Sequence, residues 1–233
     1  RPVQIPGRAD TVRVEIGFWR EENDKIPSER FKNIKSIKNS SLVVYFPTEK
    51  ETRFGFLIQG PYRTTPARDN IPKDDEWNKK LINETATLIV DSIMKLKDMG
   101  LLTVDVLEAL PVRIEDFPSD GMFYPIVKAV KDAFLEYPLL PTDDGSFMTS
   151  KHVKLASAKW LRNLLKGKQL KELLQSTSAV QWISGEITEN RTKDLWSYLK
   201  EFLEIEEITP DRFGRKIDKS FLEIQSNEWM MAF

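Results

Sequence analysis

The sequence contains no cysteine and only one histidine, His152, among its 233 residues. The lack of cysteine excludes disulfides, thiolate nucleophiles, thiolate zinc sites and iron–sulfur clusters, and a single histidine excludes metal centres built from two or more. His152 has no acid at catalytic spacing, so we expect a solvent-facing or core-edge side chain. We assign no metal site to this chain, and most familiar catalytic inventories are absent.

The sequence also lacks an excess of one charge and a long apolar run. Its 35 Lys and Arg residues and 36 Asp and Glu residues leave a net charge of −1, which excludes a global field that would draw the chain onto nucleic acid or anionic lipid. No apolar run approaches the roughly 20 residues that span a bilayer, and the N-terminus does not resemble a signal peptide. We predict a cytoplasmic protein with no membrane partner. Without an initiator Met, we expect a piece of a longer chain.

Glycine is scarce, with ten residues in all, and no Walker motif or Gly-x-Gly-x-x-Gly pattern occurs. No backbone cradle for a phosphate chain is therefore evident. Asp143-Asp144-Gly145 is typical of a turn rather than of a catalytic carboxylate pair. Ser184-Gly185-Glu186 lacks the surrounding pattern of a nucleophile elbow. By itself, the sequence predicts no complete catalytic site.

Short strand-like runs fill the N-terminal part of the sequence. Residues 12–16 alternate apolar and charged side chains, which is typical of a half-buried strand. Residues 41–48 and 53–59 are β-branched and aromatic runs that predict two buried strands, the first stopped by Pro47. The polar stretch at residues 21–38 favours a short helix or an exposed loop.

Apolar residues recur at helical spacing from Asp75 onward. The longest predicted helix begins near Asp75, where Asp74 and Asp75 offer N-cap oxygens, and ends before Gly100, which suits a left-handed conformation. Its predicted core-facing stripe consists of Trp77, Leu81, Leu88, Ile89, Ile93 and Leu96. Shorter helices are predicted at residues 104–110, 123–134, 156–165, 168–174, 192–203, 210–217 and 220–233. A single strand is favoured at residues 180–183, and Asp144-Gly145 predicts the turn of a hairpin.

These patterns predict an α+β fold in two parts. We expect a linker over residues 1–11, an α+β domain over residues 12–112 with helices packed on a sheet, and a mainly helical domain over residues 113–233. The second domain carries one β-hairpin at residues 139–149. The composition changes from strand-rich to helical after residue 75, and we place the domain boundary in the segment 111–121.

The segment from Gln59 to Asn78 is the densest unusual stretch. Gly60 and three prolines hold a loop that presents Arg63 and Arg68 before the long helix. Prolines lower the entropy of a loop that must position guanidinium groups, and a guanidinium is a common protein partner of phosphates and carboxylates. Composition alone favours a simpler explanation, in which the two arginines pair with Asp69, Asp74 or Glu76 and pin the loop.

Three runs within residues 42–81 carry a family resemblance: Leu-Val-Val-Tyr-Phe-Pro-Thr, then Phe-Leu-Ile-Gln-Gly-Pro-Tyr-Arg-Thr-Thr-Pro-Ala-Arg-Asp-Asn-Ile-Pro, then Asp-Asp-Glu-Trp-Asn-Lys-Lys-Leu. They resemble the region that follows the ATPase domain in sacsin-like proteins, relatives of the ninety-kilodalton heat-shock chaperone in the GHKL ATPase superfamily. The resemblance covers residues 42–96. Residues 139–145 and 182–188 are more loosely similar to large prokaryotic members of this group.

The resemblance implies a chaperone middle-domain-like fold and a role for one arginine. Ala67-Arg68-Asp69 falls on the chaperone's Ser-Arg-Glu, which makes Arg68 the implied contact to the ATP γ-phosphate, with Arg63 as the alternative. ATP and Mg²⁺ would be bound by the N-terminal ATPase domain of the parent protein, because this chain lacks the superfamily's acid-and-Asn helix and its Asp-x-Gly-x-Gly turn. The chaperone's Gln four residues after the arginine is replaced here by Pro72.

Two functions follow as hypotheses. The resemblance implies a middle-region fragment that completes the parent's ATP site and carries client or partner contacts on its helical half, where Trp160, Trp182, Trp196, Trp229, Phe202, Met230 and Met231 occur. The alternative is a non-catalytic protein- or nucleic-acid-binding module with structural loop arginines, whose basic run from Lys151 to Lys171 faces the partner. A solvated helix face explains that basic run more simply. We expect no activity and no bound cofactor from this chain alone, whereas the parent would be an ATPase.

Overall fold

A computed structural model describes residues 1–7, 9–21 and 34–233. The fold is α+β, as predicted. Contacts divide the chain into two compact units, Arg1–Ala133 and Phe134–Phe233. This division lies C-terminal to the segment 111–121 in which we placed the boundary. The reason is aromatic packing, because the rings of Phe117 and Phe123 lie 4.9 and 5.5 Å from the ring of Phe54 and so belong to the first unit.

The strands of the first unit are short. They are β1 (Pro2–Gln4), β2 (Thr11–Arg13), β3 (Glu15–Gly17), β4 (Trp19–Arg20), β5 (Ile34–Lys35), β6 (Ser41–Val44), β7 (Phe46–Glu51) and β8 (Leu57–Gln59). Strand β1 pairs with β2 and buries Val3, so the segment that we expected to be a linker contains a paired strand. Most of the segment 21–38, for which we predicted a helix or loop, lies outside the described residues.

A four-stranded sheet in the order β3-β8-β6-β7 forms the centre of this unit. Strand β6 pairs parallel with β8, and the other pairs are antiparallel. The strand predicted at residues 41–48 is divided at Tyr45, whose φ of 59° reverses the chain direction. Pro47 lies inside β7 instead of stopping a strand. Strand β7 is at the edge of the sheet, where the missing N–H of a proline is tolerated.

The predicted long helix is confirmed as α1 (Glu76–Asp98). The carboxylate of Asp75 accepts a hydrogen bond from the backbone N–H of Asn78, and Gly100 follows the C-terminus with φ +67°. The core-facing stripe differs from the predicted one in part. Ile89 is fully buried, whereas Leu88 and Trp77 are only half-buried. The remaining helical elements of this unit are α2 (Val104–Ala109), a 3₁₀ turn (Ile114–Asp116) and most of α3 (Tyr124–Glu136).

The second unit contains the predicted hairpin and the predicted helices, although several are shorter than expected. Its strands are β9 (Leu140–Pro141), β10 (Phe147–Met148), β11 (Val153–Ala156), β12 (Gln181–Trp182) and β13 (Glu207–Ile208). Its helices are α4 (Lys159–Leu164), α5 (Gly167–Leu173), α6 (Lys193–Ser197), α7 (Pro210–Lys216), α8 (Lys219–Glu223) and α9 (Asn227–Ala232), with a 3₁₀ turn (Ser150–His152) and a π-helical turn (Tyr198–Phe202). Gly145 forms the hairpin turn with φ +80°.

A parallel sheet in the order β12-β11-β13 makes the second unit more than a helical domain with one hairpin. Our sequence patterns placed one strand of it, β12, and missed the other two. The reason is that β11 and β13 are short and have charged residues at alternate or flanking positions. Neither segment therefore contains the β-branched run that predicts a strand. The connection from β11 to β12 packs α4 and α5 against Ala156, Trp182 and Ile208, which lie on one face of the sheet.

The tryptophans of the second unit are mostly core residues. Trp182, Trp196 and Trp229 are buried, and the indole N–H of Trp229 donates to the carbonyl of Leu164 at 2.7 Å. Trp160 is partly exposed, as are Met230, Met231 and Phe233 in the last turns of the chain. Within the described residues, no helix has the length and apolar character needed to cross a membrane.

The burial pattern of α1 predicts the effect of two adjacent truncations. Ile89→Ala removes a fully buried side chain and should lower the free energy of unfolding by about 2–5 kcal/mol. Leu88→Ala, one residue earlier and half-buried, should cost clearly less. Urea denaturation of both variants measures the difference. Equal losses would contradict the orientation of α1 described here.

Candidate functional site

The loop at residues 60–75 joins strand β8 to helix α1, and it is anchored where it begins. Gly60 donates its N–H to the carbonyl of Val43 at 3.0 Å, and a Cβ there would lie 2.9 Å from the ring of Tyr62. Tyr62 is buried, which raises the pKa of its phenol, and its hydroxyl is hydrogen-bonded to that of Thr85 in α1 at 2.9 Å. The first residues of the loop are therefore attached to both the sheet and the helix.

The side chain of Asn78, buried in the first turn of α1, connects the two limbs of the loop. Its Oδ1 accepts from the backbone N–H of Arg63 at 2.8 Å, and its Nδ2 donates to the carbonyls of Arg63 at 2.9 Å and Pro72 at 3.2 Å. A buried amide without hydrogen-bond partners lowers the stability of the fold by about 1–3 kcal/mol, so these bonds strongly favour one loop conformation. Our sequence interpretation gave no role to Asn78. The available signal was a polar residue on the predicted apolar side of a helix.

Arg63 leaves this anchored backbone with its guanidinium in solvent. The side chain is 67% exposed, and its Nη1 lies 3.0 Å from Oδ2 of Asp75, the N-cap of α1. The pKa of the Asp75 carboxyl is lowered, chiefly by the hydrogen bond from Asn78 N–H; burial opposes this shift, and Arg63 lowers the pKa further. The partner of Arg63 is thus Asp75 and not the three acids that we considered from the sequence.

Arg68 has a different role in the structure. Its backbone has φ +60°, and its Nη2 donates to the carbonyls of Val44 at 2.8 Å and Phe46 at 3.2 Å. Its own carbonyl accepts from the N–H of Glu49 at 3.1 Å. Arg68 therefore supports the reversal at Tyr45 from both its side chain and its backbone. The structure places Arg63 at the N-terminus of α1 and Arg68 at the β6–β7 turn.

A shallow cavity of about 220 Å³ lies beside the start of the loop, lined in part by Arg13, Tyr45 and Pro61. Small-molecule sites typically have volumes of about 300–1,000 Å³. The cavity is too small to enclose a nucleotide, so the loop by itself can offer cationic side chains to a phosphate but cannot surround the whole ligand. Tyr45 and Phe46, at the turn that Arg68 supports, are 81% and 73% exposed.

The basic run at residues 151–171 does not form one continuous face. Lys154 pairs with Glu206 at 3.2 Å, and Lys168 lies 3.9 Å from Glu172. Arg162 points inward and is buried. Nδ1 of the half-buried His152 is hydrogen-bonded to the hydroxyl of Thr149 at 3.0 Å. No group of three or more His, Asp or Glu residues that could hold a metal ion occurs in the described parts of the chain.

Comparisons with protein-family models, with curated proteins and with solved structures find no match for this chain. The loop that carries Arg63 and Arg68 is the candidate site.

Proposed function

We propose that this chain is the middle region of a sacsin-like, chaperone-related ATPase of the cytoplasm. In this proposal the loop at residues 60–75 presents an arginine to the nucleotide held by the N-terminal domain of the same parent protein. The observation that carries the proposal is that the loop backbone is anchored by Asn78 and Tyr62, while the Arg63 guanidinium remains 67% exposed. An anchored backbone with an exposed cation suits a group that must meet a phosphate from outside.

The chemistry of such an arginine is electrostatic. When ATP and Mg²⁺ are bound in the parent's other domain, phosphoryl transfer builds negative charge on the phosphate oxygens, and a positioned cation stabilises that charge. The residues of this chain do not supply the rest of an ATP site, because they form neither a backbone cradle nor a cavity of sufficient size. Their contribution is the orientation of a single guanidinium.

Of the two arginines, Arg63 would lose less free energy if its side chain left its present partner to contact a phosphate. Its pair with Asp75 is solvent-exposed, and such pairs contribute about 0–1 kcal/mol. Arg68 would have to give up two hydrogen bonds to backbone carbonyls, and these bonds support the β6–β7 turn. We therefore place Arg63 first and Arg68 second as the phosphate ligand, in the reverse of the order that the family resemblance implies.

A second candidate function is a non-catalytic binding module. It is favoured by the observation that both arginines already have partners within the first unit. In that case the loop is purely structural, and the exposed aromatic residues of the chain would contact a protein partner. The dispersed basic run gives less support to nucleic acid as that partner.

Substitutions in the parent ATPase distinguish the two functions. Arg63→Ala should lower ATP turnover by about 10²-fold, as the loss of a transition-state charge contact does, and should leave the melting temperature unchanged. Lys73→Ala removes another exposed cation of the same loop and is the matched control, with normal turnover expected. If both Arg63→Ala and Arg68→Ala retain full turnover, the loop is structural and the binding-module function replaces the first.

Arg68→Ala should act first on stability. The variant loses a charged donor to two carbonyls, and each such bond contributes roughly 1–3 kcal/mol. We expect a lower unfolding midpoint in urea for the 233-residue chain, with no comparable loss for Arg63→Ala. Equal stability of the two variants would contradict the supporting role given to Arg68.

The isolated chain should neither bind ATP saturably nor hydrolyse it at millimolar ATP, because it offers a phosphate no enclosed site. Isothermal titration calorimetry and a phosphate-release assay measure the two properties. A micromolar dissociation constant for ATP would show that this chain carries a nucleotide site of its own.

A further inference from the structure

The second unit contains a cleft that the proposed function does not use. It has a volume of about 510 Å³, within the range of small-molecule sites. Its lining includes residues that follow β11, such as Ser157 and Arg162, and residues that follow β12, such as Gly185 and Glu189. The cleft therefore opens at the carboxyl ends of two adjacent parallel strands.

The chain leaves these two strands in different directions. After β11 it forms α4 and α5, which pack on the sheet face that carries Ala156 and Trp182. After β12 it forms α6, whose buried Leu195 and Trp196 do not belong to that cluster. The strand order β12-β11-β13 reverses at β11, and the carboxyl ends of the strands at such a reversal are the usual ligand position in open α/β sheets.

An ion pair between the buried Arg162 and the more exposed Asp143 lines the cleft. The side chain of Arg162 is only 9% exposed, and its Nη1 lies 3.3 Å from Oδ1 of Asp143 and donates to the carbonyl of Ile183 at 2.9 Å. Asp143 also accepts from the N–H of Gly185 at 2.7 Å. A Cβ at Gly185 would lie 3.2 Å from both charged groups, so the backbone passes directly over the pair.

The ion pair leaves hydrogen-bond donors of Arg162 without an acceptor in the described protein. A guanidinium has five N–H donors, yet within the described residues only Nη1 of Arg162 has acceptors. Burial lowers the pKa of Arg162, and Asp143 opposes this shift without cancelling it. Trp196 also lines the cleft, and its buried indole N–H has no partner in the described part of the chain. An unpaired buried donor such as this indole N–H is costly, and an acceptor-bearing ligand would remove that cost.

The charges around the cleft indicate which acceptor fits. Lys159 and Arg162 contribute two positive charges, and Asp143, Glu189 and Glu207 contribute three negative charges. Glu207 is paired with Lys200 at 2.7 Å. The surroundings are thus balanced, which disfavours a phosphate dianion or a polyphosphate and suits a ligand with one charge of each sign.

We propose that this cleft binds a small zwitterion with an α-amino-acid head group. The carboxylate accepts from the unpaired edge of Arg162 and from Lys159, in the two-pronged geometry that guanidinium and carboxylate groups favour. The ammonium group of the ligand pairs with Glu189, which also lines the cleft and is exposed to solvent. The ligand side chain occupies the remaining volume beside Trp196.

The test uses the 233-residue chain and the twenty standard amino acids as probes. A thermal-shift screen followed by isothermal titration should identify at least one amino acid with a dissociation constant below about 1 mM, corresponding to roughly −4 kcal/mol. The best probe is then compared with its des-amino analogue, which keeps the carboxylate, and with its decarboxylated amine. Both analogues should bind at least tenfold more weakly than the amino acid.

Variants of the lining residues test which of them bind the carboxylate of the ligand and which bind its ammonium group. Glu189→Gln should weaken the amino acid about tenfold and leave the des-amino analogue unchanged, whereas Lys159→Gln should weaken both. Arg162→Lys keeps the charge and removes the fork, so it should also weaken both. Glu186→Gln and Lys151→Gln, which change exposed charges outside the cleft, are the matched controls and should bind normally.

Three results would overturn the proposal: no saturable binding of any of the twenty amino acids, binding that is insensitive to Glu189→Gln and Lys159→Gln, or tighter binding of inorganic phosphate than of every amino acid. Glu189 and Lys159 are exposed, so their variants keep the test decisive if Arg162→Lys does not fold. None of these results bears on Arg63, so they leave the proposed function of the loop unaffected.

Discussion

The buried amide of Asn78 determines the geometry of the first unit's loop. All three of its hydrogen bonds go to the loop backbone, at Arg63 and Pro72. The amide keeps its place because the same helix is held against the sheet by Ile89 and Ile93, which are fully buried. Apolar packing of α1 therefore fixes Asn78, and Asn78 fixes the backbone of Arg63, from which the exposed guanidinium projects.

The two units use buried polar groups differently. In the first unit Asn78 is satisfied by the protein backbone itself, which holds the loop backbone while the Arg63 side chain remains exposed. In the second unit Arg162 is held by Asp143 and Ile183 through one nitrogen, and its other donors are left for something else. Burial makes the hydrogen bonds of Asn78 energetically important, because an unpaired polar group costs most where water cannot reach it.

The elements that could be predicted from the sequence have local causes. Helix α1 has its cap at Asp75 and its end near Gly100, and the hairpin has its turn at Gly145. Each of these features depends on residues a few positions apart. The division of the predicted strand at Tyr45 escaped prediction because a non-glycine residue at φ 59° is uncommon, and here it is supported by Arg68, a residue 22 to 24 positions away from the carbonyls it binds.

The sequence predicted which segment forms the candidate site, but it did not predict how the side chains of that segment are arranged. The prolines and Gly60 predicted an ordered loop with two arginines, and the structure contains such a loop. The sequence could not indicate that Arg63 would be exposed and Arg68 engaged, since that depends on the turn at Tyr45. The sequence also could not predict that Arg162, alone among the residues of the basic run, pairs with Asp143. This contact forms only when β11 and β12 are paired in parallel.

By itself, the sequence determined the composition of the core, the absence of thiol and multi-histidine chemistry, the α+β class and the position of the arginine-bearing loop. These properties follow from residue type and from short-range periodicity, which do not depend on distant parts of the chain. Only the tertiary structure decided what each charge does. The partners of Arg68 and Arg162 are about twenty residues away along the chain, and such pairings exist only after strands and helices have packed.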